Sequence, residues 1–148
     1  MLIKIMRGVP GSGKSTYTAD NFPKAVVCSA DHFFMDGDKY EFDASKLPLA
    51  HGASLRKFAE LVRAAVSHPE DLEVVVDNTC ISAAEIAPYM ALGQAYGHDV
   101  EILTFYVNPS TAAARNVHGV PEAAVRRMSD AMLNAQLPPW WKNTVISL

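Results

Sequence analysis

Short apolar runs alternate along the chain with longer segments of helical periodicity. Continuous apolar runs of this kind are typical of strands buried on both faces of a parallel sheet. Strands are predicted at residues 2–6, 25–28, 74–76 and 100–107, with a short final strand at 145–148. Helices are predicted at residues 14–21, 46–67, 82–96 and 121–137. This alternation predicts a three-layer α/β fold with a parallel sheet of four to five strands.

Local signals support several of these boundaries. Ser82 and Glu85 have the spacing of a capping box at the start of the third helix. The predicted apolar stripe of the second helix consists of Leu49, Ala53, Phe58, Leu61, Val62 and Ala65. His68-Pro69 is expected to end that helix. Residues 31–45 are aromatic and acidic and contain the turn signal Asp36-Gly37, so we predict a loop there.

The chain has 148 residues, of which 49% are apolar and 20% charged, so we expect a single globular domain over residues 1–148. A net charge of −3 excludes a generally basic protein that coats nucleic acid, although a local basic groove stays open. The sequence lacks an apolar stretch of membrane-spanning length and a signal-peptide cleavage pattern. We therefore expect a cytoplasmic protein with no membrane contact and no obligate protein partner. Cys28 and Cys80 fit neither a zinc set nor a disulfide framework, which favours buried reduced thiols.

Residues 8–15, GVPGSGKS, match the phosphate-loop pattern G-x-x-x-x-G-K-[ST] at every fixed position. The loop follows a predicted strand and opens a predicted helix, so its amides and the helix dipole can face one oxyanion. The predicted nucleotide-binding residues are Gly8, Pro10, Gly11, Ser12, Gly13, Lys14, Ser15 and Thr16. Because the sequence lacks the guanine-reading tetrapeptide N-K-x-D, it favours ATP over GTP.

Polar residues follow the next two strands, where a parallel sheet binds its ligands. Asp31 is predicted to accept the proton of an attacking hydroxyl during phosphoryl transfer. Asp77 resembles a Walker B carboxylate and, with the Ser15 hydroxyl, is predicted to hold Mg²⁺. Asn78 and Thr79 offer hydrogen bonds to the acceptor or to the phosphate loop. The alternative is that these residues only cap helices and form turns.

Residues 109–120 follow the fourth strand and are predicted to form a helical lid. Arg115 in this lid can close over ATP and neutralise charge on the transferring phosphoryl group. Arg126 and Arg127 lie on the next helix and are weaker candidates for the same role. All three arginines can alternatively be solvated helix residues.

Several further residues are candidates for acceptor or phosphate contact, namely Phe33, Phe34, His51 and His118. The pair Trp140-Trp141 can stack on a base, but an apolar cap on the core is the favoured interpretation. The acidic residues between positions 36 and 43 are most simply explained as a solvated segment, and they are poor neighbours for a nucleic-acid backbone.

Six segments together resemble the kinase domain of polynucleotide kinase and the small stand-alone ATP-binding kinases of that group. These segments are RGVPGSGKST, SADHFF, YEFDASKLPLAH, VVVDNT, EIAPYMALGQAYGHDVEIL and ARNVHGVPEAAVRRM. The resemblance implies a P-loop kinase fold in which Asp31 is the general base and Arg115-Asn116 is the lid pair. It also places Asp77 at the aspartate of the third-strand motif. Phe34 departs from the pattern, since polynucleotide kinase has an arginine there that holds the phosphate of its acceptor, and the lid is shorter.

We therefore expect an ATP- and Mg²⁺-dependent kinase whose acceptor is a hydroxyl of a nucleic acid or of a nucleic-acid component. One alternative is a kinase for hydroxymethylated pyrimidines in phage DNA, encoded by a phage and acting in a bacterial cytoplasm. Another is a small-molecule kinase for a nucleoside, a sugar or a nucleotide sugar. A third is an ATP-binding module without catalysis, which the intact base candidate Asp31 argues against.

Overall fold

The computed structural model describes residues 1–65, 67, 68, 70 and 72–147. Its main sheet contains β1 (Leu2–Arg7), β2 (Val26–Cys28), β5 (Glu73–Asp77), β6 (Asp99–Phe105) and β7 (Lys142–Ile146). A separate hairpin pairs β3 (Met35–Asp36) with β4 (Lys39–Tyr40). The main sheet has the order β2-β5-β1-β6-β7, and all its neighbouring strands are parallel. The predicted parallel sheet of four to five strands is confirmed, with five strands.

Five α-helices surround this sheet in the described part of the chain. They are α1 (Lys14–Asn21), α2 (Leu47–Ala64), α3 (Ala83–Ala95), α4 (Pro109–Arg115) and α5 (Glu122–Asn134). The helix α3 begins with the predicted capping box, in which Ser82 and Glu85 bond to each other's backbone amides. Within the described residues, none of the helices is both long and apolar enough to cross a bilayer.

Alternation along β1 directs its side chains to the two faces of the sheet. Ile3 and Ile5 belong to a core cluster that includes Phe58 of α2 and Met90 of α3. The next residue, Met6, faces a second cluster against which Tyr17 of α1 packs. Helices therefore cover both faces of the sheet, which confirms the predicted three-layer arrangement.

Both cysteines lie in the first of these clusters. Cys28 ends β2 and Cys80 follows β5, and each is a buried free thiol, as predicted. Burial raises the pKa of the Cys28 thiol to about 11. Burial likewise raises the pKa of the Cys80 thiol to about 12. Cys80 also has a positive φ of 48°, in the left-handed region that non-glycine residues rarely adopt.

The predicted loop over residues 31–45 is wrong in detail. This segment contains 3₁₀ turns at Ala30–Phe34 and Ala44–Lys46, with the β3–β4 hairpin between them. The hairpin follows from the Asp36-Gly37 turn signal, since Gly37 takes a positive φ of 61°. Its two-residue strands are too short to give an alternating apolar pattern.

Three other element boundaries differ from their predictions by three residues each, and the remaining differences are of one or two residues. The helix α2 ends at Ala64 rather than residue 67, and its buried stripe is Ala50, Ser54, Phe58 and Val62. Leu49, expected in that stripe, is 63% exposed. The helix α5 ends three residues earlier than predicted, at Asn134. The final strand begins at Lys142 rather than residue 145. Lys142, Asn143 and Thr144 are polar and exposed, but they pair with β6 and so extend the strand. Pro69 and Leu148, on which two predicted boundaries fell, lie outside the described residues.

Candidate active site

The carboxyl ends of β1, β2 and β5 open into a cleft of about 1570 Å³. This volume exceeds the roughly 300–1,000 Å³ of a typical site for one small molecule. The cleft is lined by the phosphate loop, by the residues that follow β2 and β5, and by residues 115–121 after α4. The chain thus brings together the segments that the sequence predicted, in a space large enough for two substrates.

The phosphate loop joins β1 to α1, and its backbone turns through Gly11 and Gly13, with φ values of 82° and 97°. Lys14 opens α1, and its Nζ donates hydrogen bonds to the carbonyls of Gly8 at 2.9 Å and Val9 at 3.0 Å. Burial lowers the pKa of the Lys14 ammonium, and nearby charges, first that of Asp77, partly oppose the effect. A buried ammonium at a helix N-terminus fits an anionic phosphate ligand.

The predicted loop residues do not all face the cleft. Six of them line it, namely Pro10, Gly11, Gly13, Lys14, Ser15 and Thr16. The other two, Gly8 and Ser12, are buried and do not line the cleft. The Ser12 hydroxyl is buried without a hydrogen-bond partner among the described residues. A Cβ on Gly8 would lie 2.6 Å from that hydroxyl oxygen, so the glycine is required for the loop to close on itself.

Two oxygen-bearing side chains meet beside the loop. The Ser15 hydroxyl donates a 2.7 Å hydrogen bond to Oδ2 of Asp77. Sheet register brings them together, because Asp77 pairs with Met6, two residues before the loop begins. A hydroxyl and a carboxylate are ligands that suit Mg²⁺, which takes its remaining ligands from phosphates and water. The described residues contain no cluster of three His, Cys, Asp or Glu that would hold a metal by itself.

Asp31 lies in the 3₁₀ turn after β2 and is held from two sides. The Tyr40 hydroxyl donates a 3.0 Å hydrogen bond to its Oδ1. His118 Nε2 lies 3.5 Å from its Oδ2, and the His118 ring packs on the Tyr40 ring at 4.1 Å. Burial, together with the charge and hydrogen bond of Asp31, raises the pKa of Tyr40. Tyr40 therefore stays a donor, and Asp31 has a defined orientation in the cleft.

Tyr40 was missed by the sequence reasoning, and His118 was only a weak candidate. The hairpin carries Tyr40 to Asp31, and the segment after α4 carries His118 there. The tight turn at Asp36-Gly37 is the one signal that points to a strand pairing near Tyr40. Tyr40 is nine residues from Asp31 and reaches it through the hairpin, whereas His118 comes from a distant part of the chain and reaches it only in the tertiary structure.

Asn78 and Thr79 line the cleft, but their described bonds are internal. The Asn78 side chain accepts a 2.8 Å hydrogen bond from the Ala30 amide and donates to Ser54 and Tyr89 at 3.3 Å. The Thr79 carbonyl accepts a 3.0 Å hydrogen bond from the Gly8 amide. Asn78 thereby fixes the turn that holds Asp31, whereas acceptor binding by either residue stays a prediction.

The three predicted arginines occupy different positions. Arg115 ends α4, and Arg127 lies on α5, and both are exposed side chains that line the cleft. Arg126 instead donates hydrogen bonds to the Ser110 hydroxyl at 2.5 Å and to Glu122 at 3.0 Å. Arg115 and Arg127 are therefore available to a ligand in the cleft, and Arg126 ties α4 to α5.

The 3₁₀ turn separates the two phenylalanines predicted at the acceptor site. Residues three apart share a face of a 3₁₀ helix, so Phe34 follows Asp31 into the cleft lining. Phe33 is not among the lining residues, and it packs edge-on against Phe34 with ring centroids 5.4 Å apart. Phe33 thus lies outside the cleft lining, and its contact with an acceptor stays a prediction. His51 lines the cleft from α2, as its predicted role requires.

Trp140 and Trp141 lie away from the cleft lining. Trp141 packs against the main core cluster, which supports the favoured prediction of an apolar cap. Trp140 is 76% exposed. Stacking of a bound base on Trp140 has no support in this arrangement.

Arg7, the last residue of β1, was not singled out by the sequence. It is 2% exposed, and its guanidinium donates to the Ile81 carbonyl at 2.9 Å and to the Met132 carbonyl at 3.2 Å. Met132 lies in the last turn of α5, where the helix dipole favours a cation. Arg7 therefore connects the strand that carries the phosphate loop to the helix that follows the predicted lid.

The fold and the loop define a P-loop domain of the kinase type. A chain of the Pnkp1/Rnl/Hen1 RNA repair complex superposes with a TM-score of 0.65 at 16% identity, covering 88% of this chain and 43% of that chain. The unliganded structure of a sugar kinase from Janibacter sp. HTCC2649 superposes with a TM-score of 0.61 at 19% identity, covering 99% and 84%. At these identities the likeness concerns the fold alone.

The particular family follows from the sequence match. The chain belongs to the AAA domain family, whose model matches residues 3–137. It is also 34% identical over 136 residues to NEDD4-binding protein 2 of Homo sapiens, a match that covers 86% of this chain. The matched region is only 7% of that much longer protein. The predicted likeness to the kinase domain of polynucleotide kinase is confirmed at the level of family and fold.

Proposed function

We propose that this protein is an ATP-dependent kinase that transfers the γ-phosphoryl group to a hydroxyl of a nucleic acid or of a nucleic-acid component. One observation carries the proposal. Lys14, Asp31 and Asp77 line the same cleft, and Asp77 accepts a 2.7 Å hydrogen bond from Ser15, the residue that follows Lys14. The phosphate-binding lysine, the metal-binding carboxylate and the base candidate therefore lie within one cleft.

The phosphate loop would bind the triphosphate. Its amides and Lys14 would hold the β- and γ-phosphates, and Ser15 with Asp77 would hold Mg²⁺. Bound Mg²⁺ neutralises charge that develops on the phosphate oxygens. The Lys14 ammonium bonds to the Gly8 and Val9 carbonyls and Ser15 bonds to Asp77, so these groups lie together at the start of α1.

Asp31 would act as the general base. The acceptor hydroxyl oxygen forms a bond to the γ-phosphorus, its proton passes to an Asp31 carboxylate oxygen, and the bond to the departing ADP breaks. Tyr40 and His118 hold the carboxylate from two sides, which would keep one orientation during the reaction. Arg115 and Arg127, both exposed to the cleft, would neutralise the transferring group.

The held orientation of Asp31 favours catalysis over an ATP-binding module, since binding alone needs no aligned carboxylate at that strand end. A small-molecule kinase for a sugar or nucleotide sugar and a kinase for hydroxymethylated pyrimidines in phage DNA use the same chemistry. These rivals differ from the proposal only in the acceptor.

The test is an acceptor screen with γ-labelled ATP, run on the natural protein and on Asp31→Asn. We expect Asp31→Asn to lower the rate of transfer by about 10²–10⁴-fold, the usual contribution of a general base. ATP affinity, measured by calorimetry, should change little. Asp36→Asn, on the exposed hairpin outside the cleft lining, is the matched control and should transfer at the normal rate.

Two outcomes would contradict the proposal. If Asp31→Asn lost ATP binding while keeping its rate per bound ATP, Asp31 would be a nucleotide-binding or structural residue. If the natural protein transferred phosphate to no hydroxyl at all, the non-catalytic module would be the better account. Lys14→Ala tests the phosphate loop itself. Because this variant removes the ammonium of the loop, we expect it to abolish phosphoryl transfer while the protein stays folded.

A further inference from the structure

The part of the cleft near Asp31 is lined by aromatic side chains. Phe34, Tyr40 and Phe42 all line the cleft, and we name these three residues the aromatic wall. The rings of Tyr40 and Phe42 are nearly parallel, at 16° with centroids 6.5 Å apart. Phe34 packs against both, at 6.1 Å from Tyr40 and 5.1 Å from Phe42. The rings therefore support each other as one surface.

This surface remains open to solvent at its edge. Phe42 is 54% exposed, and Met35, which also lines the cleft, is 43% exposed. Phe34 behind them is only 5% exposed and anchors the wall in a small core cluster with Ala30 and Ala50. Exposed apolar side chains gathered in a cleft and backed by a packed residue are typical of a ligand-binding surface.

The aromatic wall differs from the nucleotide end of the cleft in the charged residues around it. The lysines and arginines that line the cleft are Lys14, Arg115 and Arg127, which belong to α1, α4 and α5. The lining residues between positions 29 and 51 include no lysine or arginine, and their one carboxylate is that of Asp31. Lys39 on the hairpin is not among the lining residues, and its exposed ammonium lies 3.8 Å from Glu41.

No lysine or arginine of residues 29–51 that lines the cleft would therefore pair with a phosphate group bound at the wall; the histidines nearby are His32, His51 and His118, of which His118 already contacts Asp31. The neighbouring hairpin adds the exposed carboxylates of Asp36 and Asp38. Phosphate recognition in proteins depends on arginine, lysine or a helix N-terminus, and anions that lie close to carboxylates are repelled. Base stacking on aromatic rings needs no such charge and tolerates different bases.

We propose that the aromatic wall is the acceptor subsite and that it takes a neutral alcohol with a planar ring, of the nucleoside class, without a neighbouring phosphate. This inference rests on the proposed kinase function and names its acceptor more narrowly. The ring stacks on Phe42, the exposed ring of the wall, because the His118 ring already packs on Tyr40. The hydroxyl reaches the carboxylate that Tyr40 holds. The hydroxyl oxygen then forms its bond to the γ-phosphorus, Asp31 takes the proton, and ADP leaves.

The first experiment compares three acceptors. Thymidine carries the planar ring and no phosphate, thymidine 3′-monophosphate carries a phosphate on its 3′-oxygen, and 2-deoxyribose is the same sugar without the base. We expect kcat/KM with γ-labelled ATP to be at least about tenfold higher for thymidine than for either of the others, as loss of one stacked base or repulsion of one phosphate would give. An equal or higher value for the 3′-monophosphate or for 2-deoxyribose would overturn the inference.

The second experiment changes the wall itself. Phe42→Ala should raise KM for thymidine by about tenfold, since it removes one stacking ring. Its kcat and its KM for ATP should stay close to normal. Tyr96→Ala is the matched control, because Tyr96 is an exposed aromatic residue at the end of α3, outside the cleft lining. Phe42→Tyr, which keeps the ring, should restore the natural KM. Equal effects of Phe42→Ala and Tyr96→Ala would refute the subsite.

A binding measurement separates this inference from the proposed function. Thymidine binding is measured by calorimetry in the presence of a non-hydrolysable ATP analogue, so the readout needs no turnover. Binding that Phe42→Ala weakens, in a protein that transfers no phosphate, would support the subsite and refute the kinase function alone. Absence of thymidine binding to the natural protein would refute the subsite, whatever the protein phosphorylates.

Discussion

Gly11 lies at a variable position of the phosphate-loop pattern, yet the structure gives it two separate requirements. Its φ of 82° is in the left-handed region, which costs other residues about 1–2 kcal/mol. A Cβ there would also lie 1.9 Å from the Ala112 carbonyl oxygen and 3.0 Å from the Asn116 amide nitrogen. Both atoms belong to the backbone of α4 and its C-cap, so the helix would have to move away from the loop.

We therefore expect Gly11→Ala to lose about 2–5 kcal/mol of unfolding free energy, from left-handed strain plus the roughly 1–3 kcal/mol of an overpacked contact. Because Arg115 ends the displaced helix, kcat should fall as well. Urea unfolding and steady-state kinetics measure the two effects.

Gly97→Ala is the matched control for Gly11→Ala. Gly97 has a similar φ of 78°, but a Cβ there would meet nothing within 4 Å. It should therefore lose only the strain of about 1–2 kcal/mol and keep normal kcat. If the two variants were equally stable and equally active, the close approach of α4 to the phosphate loop would be refuted.

Two other predictions concern single charges. Arg115→Ala should lower kcat by about 10³-fold, the lower end of arginine-finger effects, with a much smaller change in ATP affinity, whereas Arg63→Ala on α2 should change neither. Equal effects would mean that Arg115 is only a surface charge. Burial alone would raise the pKa of Glu101, but hydrogen bonds from Lys4 and Thr144 hold it below the usual 4.5. Its charged form therefore stabilises the fold above pH 4.5, and this stabilisation is lost as pH falls through the lowered pKa. Glu101→Gln should cost about 1–2 kcal/mol at pH 7 in urea unfolding, and the difference should narrow below pH 4.5; a constant difference would contradict this.

The parallel sheet and the phosphate loop were predictable because their signals are local. The run Val74–Val76 is buried throughout, as central parallel strands are, and the Ser82 capping box forms within one helical turn. The hairpin and the shifted β7 were not predictable in the same way. Their residues are mostly exposed and polar, so pairing with a neighbouring strand decides their structure more than their own pattern does.

The same distinction applies to the site. The positions of Lys14, Asp31 and Asp77 follow from motifs at strand ends, and the structure brings all three to one cleft. The contacts of Asp31 were not predictable, because Tyr40 reaches it through a hairpin with two-residue strands and His118 belongs to a segment that is distant in sequence. Phe33 and Phe34 are adjacent and chemically identical, and only the 3₁₀ geometry distinguishes their directions.

The two cysteines can serve as built-in probes of motion at this site. With pKa values of about 11 and 12, Cys28 and Cys80 present only on the order of 10⁻³ and 10⁻⁴ of their thiols as thiolate at pH 8, and both side chains are buried. Alkylating reagents react with exposed thiolates, so each cysteine would be modified only when its surroundings open. Cys28 directly precedes the segment that carries Asp31, and Cys80 directly follows the segment that carries Asp77. The rates of alkylation at the two positions thus report separately on the opening of each strand end, and the chain needs no introduced label.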